Sequence, residues 1–381
     1  MDFDLTDEQQ KIRDLCRNFV REVIIPRAEE FERTGEHPYD IVEQMADLGM
    51  MGIPFPAEYG GTGGDWVGMH LCIEELSRGD ILFGSILDVT TSVVGQELLI
   101  FGTEEQKQRW LVPIAQGREI GAFGLTEPDA GSDAAGLRTS AVLKEDEWVI
   151  NGSKQFISNT GLNNSSIVII TAKAQKEPDV KPTICTIIIP KDAPGFMVGQ
   201  KYEKLGMRAG ATHELIFDDC RVPRDHLLGD RDKGFSQHLT VLQTGRISVG
   251  AIATGLAQAC LNEAISFVKE GFHYDQKLFS SQRVPFKLAD IAMKIELSRT
   301  MYLKAAWLKD QGRNHILEAH FSKLYASETA TGIAADVLKI FCPYGYLEGY
   351  PISRYFKQIK LFEIVEGTSE MLRLVIARAL L

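Results

Sequence analysis

The hydrophobic pattern of this chain changes period twice, and neither an all-helical nor an all-sheet fold accommodates that. Between residues 117 and 228 the apolar runs are short and β-branched, as in Ser166–Thr171 and Thr183–Ile189. Glu214–Pro223 alternates and stops at a proline, and Trp148–Gly152 reads as a strand entering a hairpin turn at Asn151–Gly152. Gly, Asn and Pro punctuate the gaps. The pattern predicts a middle antiparallel β domain over 117–228.

On both sides the period is helical. Leu5, Ile12, Leu15, Phe19 and Val20 share a helix face, and Thr6 with Glu8 and Gln9 marks a helix entry. Pro26, Pro38, Pro54 and Pro56 divide an N-terminal helical domain over 1–116. The glycine-rich Glu58–Gly64 stretch follows no strand and carries no Lys, so it reads as a flexible interhelix turn rather than a phosphate cradle. After residue 229 come helices at Leu239–Lys269, Leu288–Lys309, Leu317–Phe341 and Glu370–Leu381, read as a C-terminal four-helix bundle over 229–381. The fold class is α+β, and 381 residues suit two or three such units.

Composition removes several function classes. Apolar residues make up 44% and charged residues 24%, the balance of an ordinary globular protein. A net charge of −11 repels nucleic acid, and no basic run offsets it. The longest apolar stretch, near Ile247–Leu261, reads as too short and too polar for membrane insertion, and the acidic N-terminus carries no signal core. Six scattered cysteines without a C-x-x-C pair fit reduced cytoplasmic thiols and offer no metal site. No H-E-x-x-H, P-loop, G-x-G-x-x-G or G-x-S-x-G occurs, so metalloprotease, nucleotide kinase, Rossmann dehydrogenase and α/β-hydrolase readings lose their support.

Two segments carry chemistry. Phe123–Asp133 opens the β region with small residues, Thr126 and Ser132, suited to an anion or the edge of a heteroaromatic ring, or to a capped turn. In Ile364–Ser369 a carboxylate, Glu366, stands between an apolar run and a Gly-Thr helix entry. Burial there would raise its pKa into the range of a usable base; exposure would leave it a solvated residue near a helix N-terminus.

Taken together, the chain resembles the acyl-CoA dehydrogenase family over essentially its whole length. The matching motifs are Leu125-Thr-Glu-Pro-x-Ala-Gly-Ser-Asp, Asn151-Gly-Ser-Lys-Gln-Phe-Ile-Ser-Asn, Lys204-Leu-Gly-Met-Arg, Glu214-Leu-x-Phe-Asp-Asp-x-Arg-Val-Pro, Gly245-Arg-Ile, Leu288-Ala-Asp and Glu366-Gly-Thr-Ser-Glu. The resemblance implies α,β-dehydrogenation of an acyl-CoA thioester with FAD as cofactor. A base removes the α-proton while the β-hydrogen leaves as hydride to the flavin. By the same resemblance Glu366 is the base, and its backbone N–H helps polarise the thioester carbonyl. One branch of the family places its base just before the arginine of Gly-Arg-Ile; here that position is Gly245. Phe123, Leu125, Thr126, Phe156 and Ser158 correspond to flavin contacts, with Phe156 where Trp is usual. Thr368 and Glu370 correspond to positions near the FAD adenosine. Gly131, Ser132, Arg246 and Gly367 correspond to coenzyme A or substrate contacts, although an ion pair suits Arg246 as well. The implied partners are an electron-transfer flavoprotein as acceptor and further subunits in a tetramer.

The departures are local. Where a neighbouring subunit usually supplies an Arg to the FAD pyrophosphate, this chain has Gly271 and Asp275; where Gln-x-x-Gly-Gly is usual it has Lys339, Cys342 and Pro343. Three outcomes follow: FAD held by altered contacts, a heterotetramer whose related subunit completes the site, or a flavin-free homologue without dehydrogenase activity. In the helix expected to line the acyl pocket, Gly84 stands where glutaryl-type members carry Arg, and Asp88 is unusual. Asp88 reads either as a second acid/base, as in members acting on cyclohexane- or cyclohexene-carboxyl-CoA, or as a solvent-facing residue. A straight short or medium acyl chain is the other substrate reading.

Overall fold

The computed structural model describes residues 4–174, 182–270 and 282–381. The first helix, Asp7–Phe19, opens on a reciprocal cap: Thr6 Oγ1 accepts from Gln9 N, and Gln9 Oε1 accepts from Thr6 N. Within the Glu58–Gly64 turn the backbone approaches closely at Gly61, where a Cβ would stand 2.1 Å from Phe55 O. The buried helix Trp66–Gly79 is capped by Asp65, which accepts from Gly68 N. Asp310, from the C-terminal region, accepts from Trp66 N and Val67 N and so closes the same helix end. Ile81–Leu87 follows, widens into a π-helical turn over Asp88–Gly95, and resumes as Gln96–Phe101. Such turns recur at functional sites, and Asp88 begins this one.

Seven strands form the middle region: β1 (Ile120–Gly124), β2 (Ser140–Lys144), β3 (Glu147–Ser158), β4 (Ser165–Ala174), β5 (Thr183–Pro190), β6 (Phe196–Lys201) and β7 (Thr212–Pro223). Their order is β1-β4-β2-β3-β7-β6, with β5 on the free side of β4. The sheet corrects two expectations. First, β4 runs parallel to both β1 and β2, although the remaining pairings are antiparallel. A β-branched apolar run specifies a strand but not its direction. Second, Asn151–Gly152 is not a hairpin turn. β3 passes through it as a bulge, and Asn151 pairs across with Asp219 through both its amide atoms. The turn lies earlier, at Glu145–Asp146, with Glu145 in the left-handed region at φ 54°.

The C-terminal region contains Gly234–Glu270, Arg283–Asp310, Ile316–Phe341, Pro351–Ile359 and Ser369–Leu380. One apolar core fuses these helices with the N-terminal ones, and a second lies within the sheet. The Gly234–Lys269 stretch is long and apolar enough to cross a membrane, contrary to the sequence reading, but 67% of its most apolar window is buried in this core. The Asp88–Gly95 turn packs against both β1 and this long helix, so Asp88 lies where the three regions meet. Asn159 ties the same seam, its Nδ2 donating to Thr90 Oγ1 and to Gly121 O.

Candidate active site

Glu366 stands in the short connection before the helix Ser369–Leu380. Its φ is 54°, and that of Gly367 is 99°. A left-handed glutamate costs about 1–2 kcal/mol, so its surroundings must impose it. Arg246 Nε donates to Glu366 O at 3.2 Å, and the wholly buried Lys323 donates from Nζ to Gly367 O at 2.8 Å. Thr368 Oγ1 accepts from Met371 N and starts the helix. The backbone is thereby pinned on three sides, and the side chain turns inward. The stem is partly exposed, but Oε2 is sealed from solvent and has no hydrogen-bond donor.

The inward carboxylate meets two residues. A Cβ on Gly245 would lie 2.5 Å from Glu366 Oε2 and 2.6 Å from Oε1, so this glycine provides the space that the carboxylate fills. The other is Asp88, 5% exposed, whose Oδ1 also lacks a donor. The solvent-facing reading of Asp88 does not hold. Burial first, and then the Glu366 charge and hydrogen bond, push the Asp88 carboxyl well above the usual carboxylate range. Burial raises Glu366 too, opposed by its hydrogen bond with Asp88 and by the charges of Arg246 and Lys323. Each carboxyl therefore bears on the ionisation of the other, and the rise is the larger at Asp88. The charges of Arg246 and Lys323 oppose the rise at Glu366, whereas the Glu366 charge adds to the rise at Asp88. Lys323 escaped the sequence reading; the only available signal was a lysine among the small and apolar residues of a buried helix.

On the sheet side, two of the motifs are physically joined. Lys154 Nζ donates to Glu127 Oε1 at 2.7 Å and to Leu125 O at 3.2 Å, while Glu127 also accepts from Thr139 N at 3.1 Å and from Arg138 N. Lys154 is wholly buried, and burial lowers it to about 8 despite Glu127. Burial alone would raise Glu127, but the Lys154 charge and the hydrogen bonds hold it below the usual range. Gln155 N donates to Thr126 O at 2.8 Å. The pair fixes the Leu125–Thr126 backbone against β3. Lys154→Met is expected to cost about 3–5 kcal/mol of folding stability, because it leaves a buried unpaired carboxylate; urea unfolding measures this.

Phe156 lies at φ 61° and is 61% exposed, its ring beside that of Tyr202 at 5.0 Å. Ser158, Leu125 and Thr126 are half-buried. Phe123 stacks at 4.1 Å on His238, which contacts Glu97 at 2.7 Å within the core. Gly131 and Ser132 lie on an exposed loop, and Glu370 is exposed on the first turn of the last helix. The geometry thus brings together Glu366, Gly367, Asp88, Gly245 and Arg246. Gly271 and Asp275 lie outside the described residues.

Three sequence families align in succession: acyl-CoA dehydrogenase N-terminal domain over 6–118, middle domain over 122–220 and C-terminal domain over 232–381. The chain belongs to the acyl-CoA dehydrogenase family. It is similar to the probable acyl-CoA dehydrogenase YngJ of Bacillus subtilis, with 46% identity over 100% of both chains. Butyryl-CoA dehydrogenase from Megasphaera elsdenii superimposes with a TM-score of 0.96 at 37% identity, covering 100% of both chains. A chain in a structure described as electron transferring flavoprotein of Acidaminococcus fermentans, concerned with flavin-based electron bifurcation, also superimposes at 0.96, with 40% identity over 100% of both.

Acyl-CoA dehydrogenases are FAD-dependent oxidoreductases of acyl-CoA thioesters. The residues present here fit that cofactor's ring. The exposed aromatic Phe156, held in a left-handed backbone conformation, offers a flat apolar face of the kind on which a planar heterocycle stacks. Lys339 is exposed near the end of the helix Ile316–Phe341, followed by exposed Cys342 and Pro343.

Proposed function

We propose that this acyl-CoA dehydrogenase removes the α-proton of its thioester with Glu366, while Asp88 holds the second proton of the site. The observation that carries this is the Glu366 Oε2 atom, buried, without a donor, and lodged in the space left by Gly245. A carboxylate raised by burial is a stronger base than one in water, and Arg246 and Lys323 keep it ionised. The Glu366 N–H, in a backbone pinned by Arg246 and Lys323, would polarise the thioester carbonyl. Phe123, Leu125, Thr126, Phe156 and Ser158 would hold the FAD ring, with Thr368 and Glu370 toward its adenosine end; FAD, when bound, supplies the hydride acceptor. Gly131, Ser132, Arg246 and Gly367 would receive the coenzyme A thioester.

For the acyl group, residue 84 is a glycine packed against Ser77, so no cation is presented from that position to a distal carboxylate. This disfavours a glutaryl-type substrate. The M. elsdenii relative acts on butyryl-CoA, which supports a short acyl chain. Asp88 supports a cyclic one, because a protonated carboxyl beside the base supplies a second acid/base for a ring carbon. Asp88→Asn separates these substrates, since the amide keeps a donor toward Glu366 but carries no acidic proton. Turnover of a cyclohexene-carboxyl-CoA is expected to fall by about 10²-fold or more with butyryl-CoA little changed. Equal loss on both, or none, rejects the special role of Asp88.

We also place the protein in the cytoplasm, with domains at 1–116, 117–228 and 229–381 and an electron-transfer flavoprotein as acceptor. Among the described cysteines five are buried thiols and none is bridged, which supports a reducing compartment. Phe286, Met293 and Leu297 form an exposed apolar row on the helix Arg283–Asp310. That row supports a tetramer, either of identical chains or with a related subunit that completes the FAD site.

A further inference from the structure

Lys154 is a cation sealed from solvent, and the reaction as described above makes no use of it. Its Nζ donates to Glu127 Oε1 at 2.7 Å and to Leu125 O at 3.2 Å. Burial lowers it to about 8, so it still carries its proton at pH 7. Its hydrogens are thus divided between a carboxylate and a peptide carbonyl. The Glu127 carboxylate is engaged in the other direction, by Arg138 N and Thr139 N. The pair has no net charge, yet its positive end lies against the Leu125–Thr126 peptide.

That peptide carries the polarity outward. It is trans, so Thr126 N–H points opposite to Leu125 O and away from Lys154. Thr126 is half-buried, and its N–H donates to no acceptor among the described residues. The next carbonyl, Thr126 O, accepts from Gln155 N at 2.8 Å, which sets Phe156 beside this stretch. An unused N–H and the exposed Phe156 are therefore neighbours. Hydrogen bonds in a chain polarise one another, and a cation on the carbonyl strengthens the N–H of the same peptide as a donor. Such a donor gains most when the acceptor it meets becomes negative.

We infer that Lys154 is a positioning residue that raises the reduction potential of bound FAD, acting through the Leu125–Thr126 peptide to make Thr126 N–H favour the reduced ring. The sign follows from charge. A hydride brings two electrons and one proton from the substrate β-carbon, so the neutral ring becomes an anion and no further reactant is needed. This rests on the proposed placement of FAD at Leu125, Thr126 and Phe156.

The test removes both charges of the pair together, so that neither is left buried alone. Holoenzyme carrying Lys154→Met/Glu127→Gln is expected at pH 7 to have a flavin potential lower than wild type by about 30 mV, a tenfold change in the equilibrium of a two-electron couple. Spectra recorded in equilibrium with a reference dye measure this under saturating FAD and without substrate. Where the Met variant does not fold, Lys154→Gln/Glu127→Gln keeps two hydrogen-bonding amides in the same space, and a shift of the same sign is expected. A merely structural role loosens FAD and leaves its potential in place. A potential that is unchanged or raised in either folded, flavin-bearing variant therefore overturns the inference. The placement of FAD is read separately from its release by diluted holoenzyme, followed by flavin fluorescence. Phe156→Ala is expected to release FAD about tenfold more readily, since stacking on an aromatic is lost. Unchanged release in Phe156→Ala rejects the placement. Faster release there, with an unchanged potential in the double variants, rejects the role of Lys154 alone.

Discussion

Holoenzyme carrying Glu366→Gln is expected to reduce its flavin with butyryl-CoA at least about 10³-fold more slowly than wild type, within the span that general bases contribute. The substitution keeps the shape of the side chain and removes only its capacity to take a proton. The pins on the backbone, Arg246 to Glu366 O and Lys323 to Gly367 O, involve no side-chain oxygen of Glu366 and remain. Flavin content and substrate affinity are therefore expected to stay close to wild type, so the loss falls on the chemical step rather than on binding. Stopped-flow absorbance under anaerobic conditions separates the two. Asp88 is not expected to replace the base, because burial, the largest cause of its raised carboxyl, persists when the Glu366 charge is removed.

Gly245→Ala is expected to lower kcat by about 10²-fold, through misplacement of the same carboxylate. The added methyl would lie 2.5 Å from Glu366 Oε2, closer than any real contact allows. Gly245 belongs to the helix Gly234–Glu270, flanked by buried Thr244, Arg246 and Ile247, so the carboxylate yields rather than the backbone. Stability points the other way, since Ala is favoured over Gly in a helix interior by about 1 kcal/mol. A variant with an unchanged or raised melting temperature and a much reduced kcat would therefore isolate the geometric effect. Steady-state kinetics beside thermal unfolding measures both, and full activity in Gly245→Ala contradicts the placement of Glu366.

Much of this was legible in the chain itself. The change from period 3.6 to period 2 and back separates the helical from the β regions, and the Thr6–Gln9 cap is read directly from residue types. Glu366 is legible as a carboxylate between apolar residues and a helix entry. What stayed hidden depends on distant approach. Nothing local links Asp88 to Glu366, because the pair is brought together only by packing of the N-terminal helices on the C-terminal ones. Gly245 reads in sequence merely as a missing alternative base; in three dimensions it is the space that the actual base fills. Asn151–Gly152 has the composition of a turn, but the Asn151 amide pairs with Asp219 across the sheet and converts it to a bulge. Lys154 and Glu127 lie in separate motifs of the sequence, and only the fold buries them as each other's partner.

The departures at the FAD half-site bear on how the flavin is held, and the visible spectrum addresses that together with the base. Purified protein is expected to show a flavin band near about 450 nm. Anaerobic addition of butyryl-CoA is expected to bleach that band in wild type within the mixing experiment, and not on the same timescale in Glu366→Gln. No flavin band and no uptake of FAD in titration, or equal bleaching rates in the two proteins, would contradict the account.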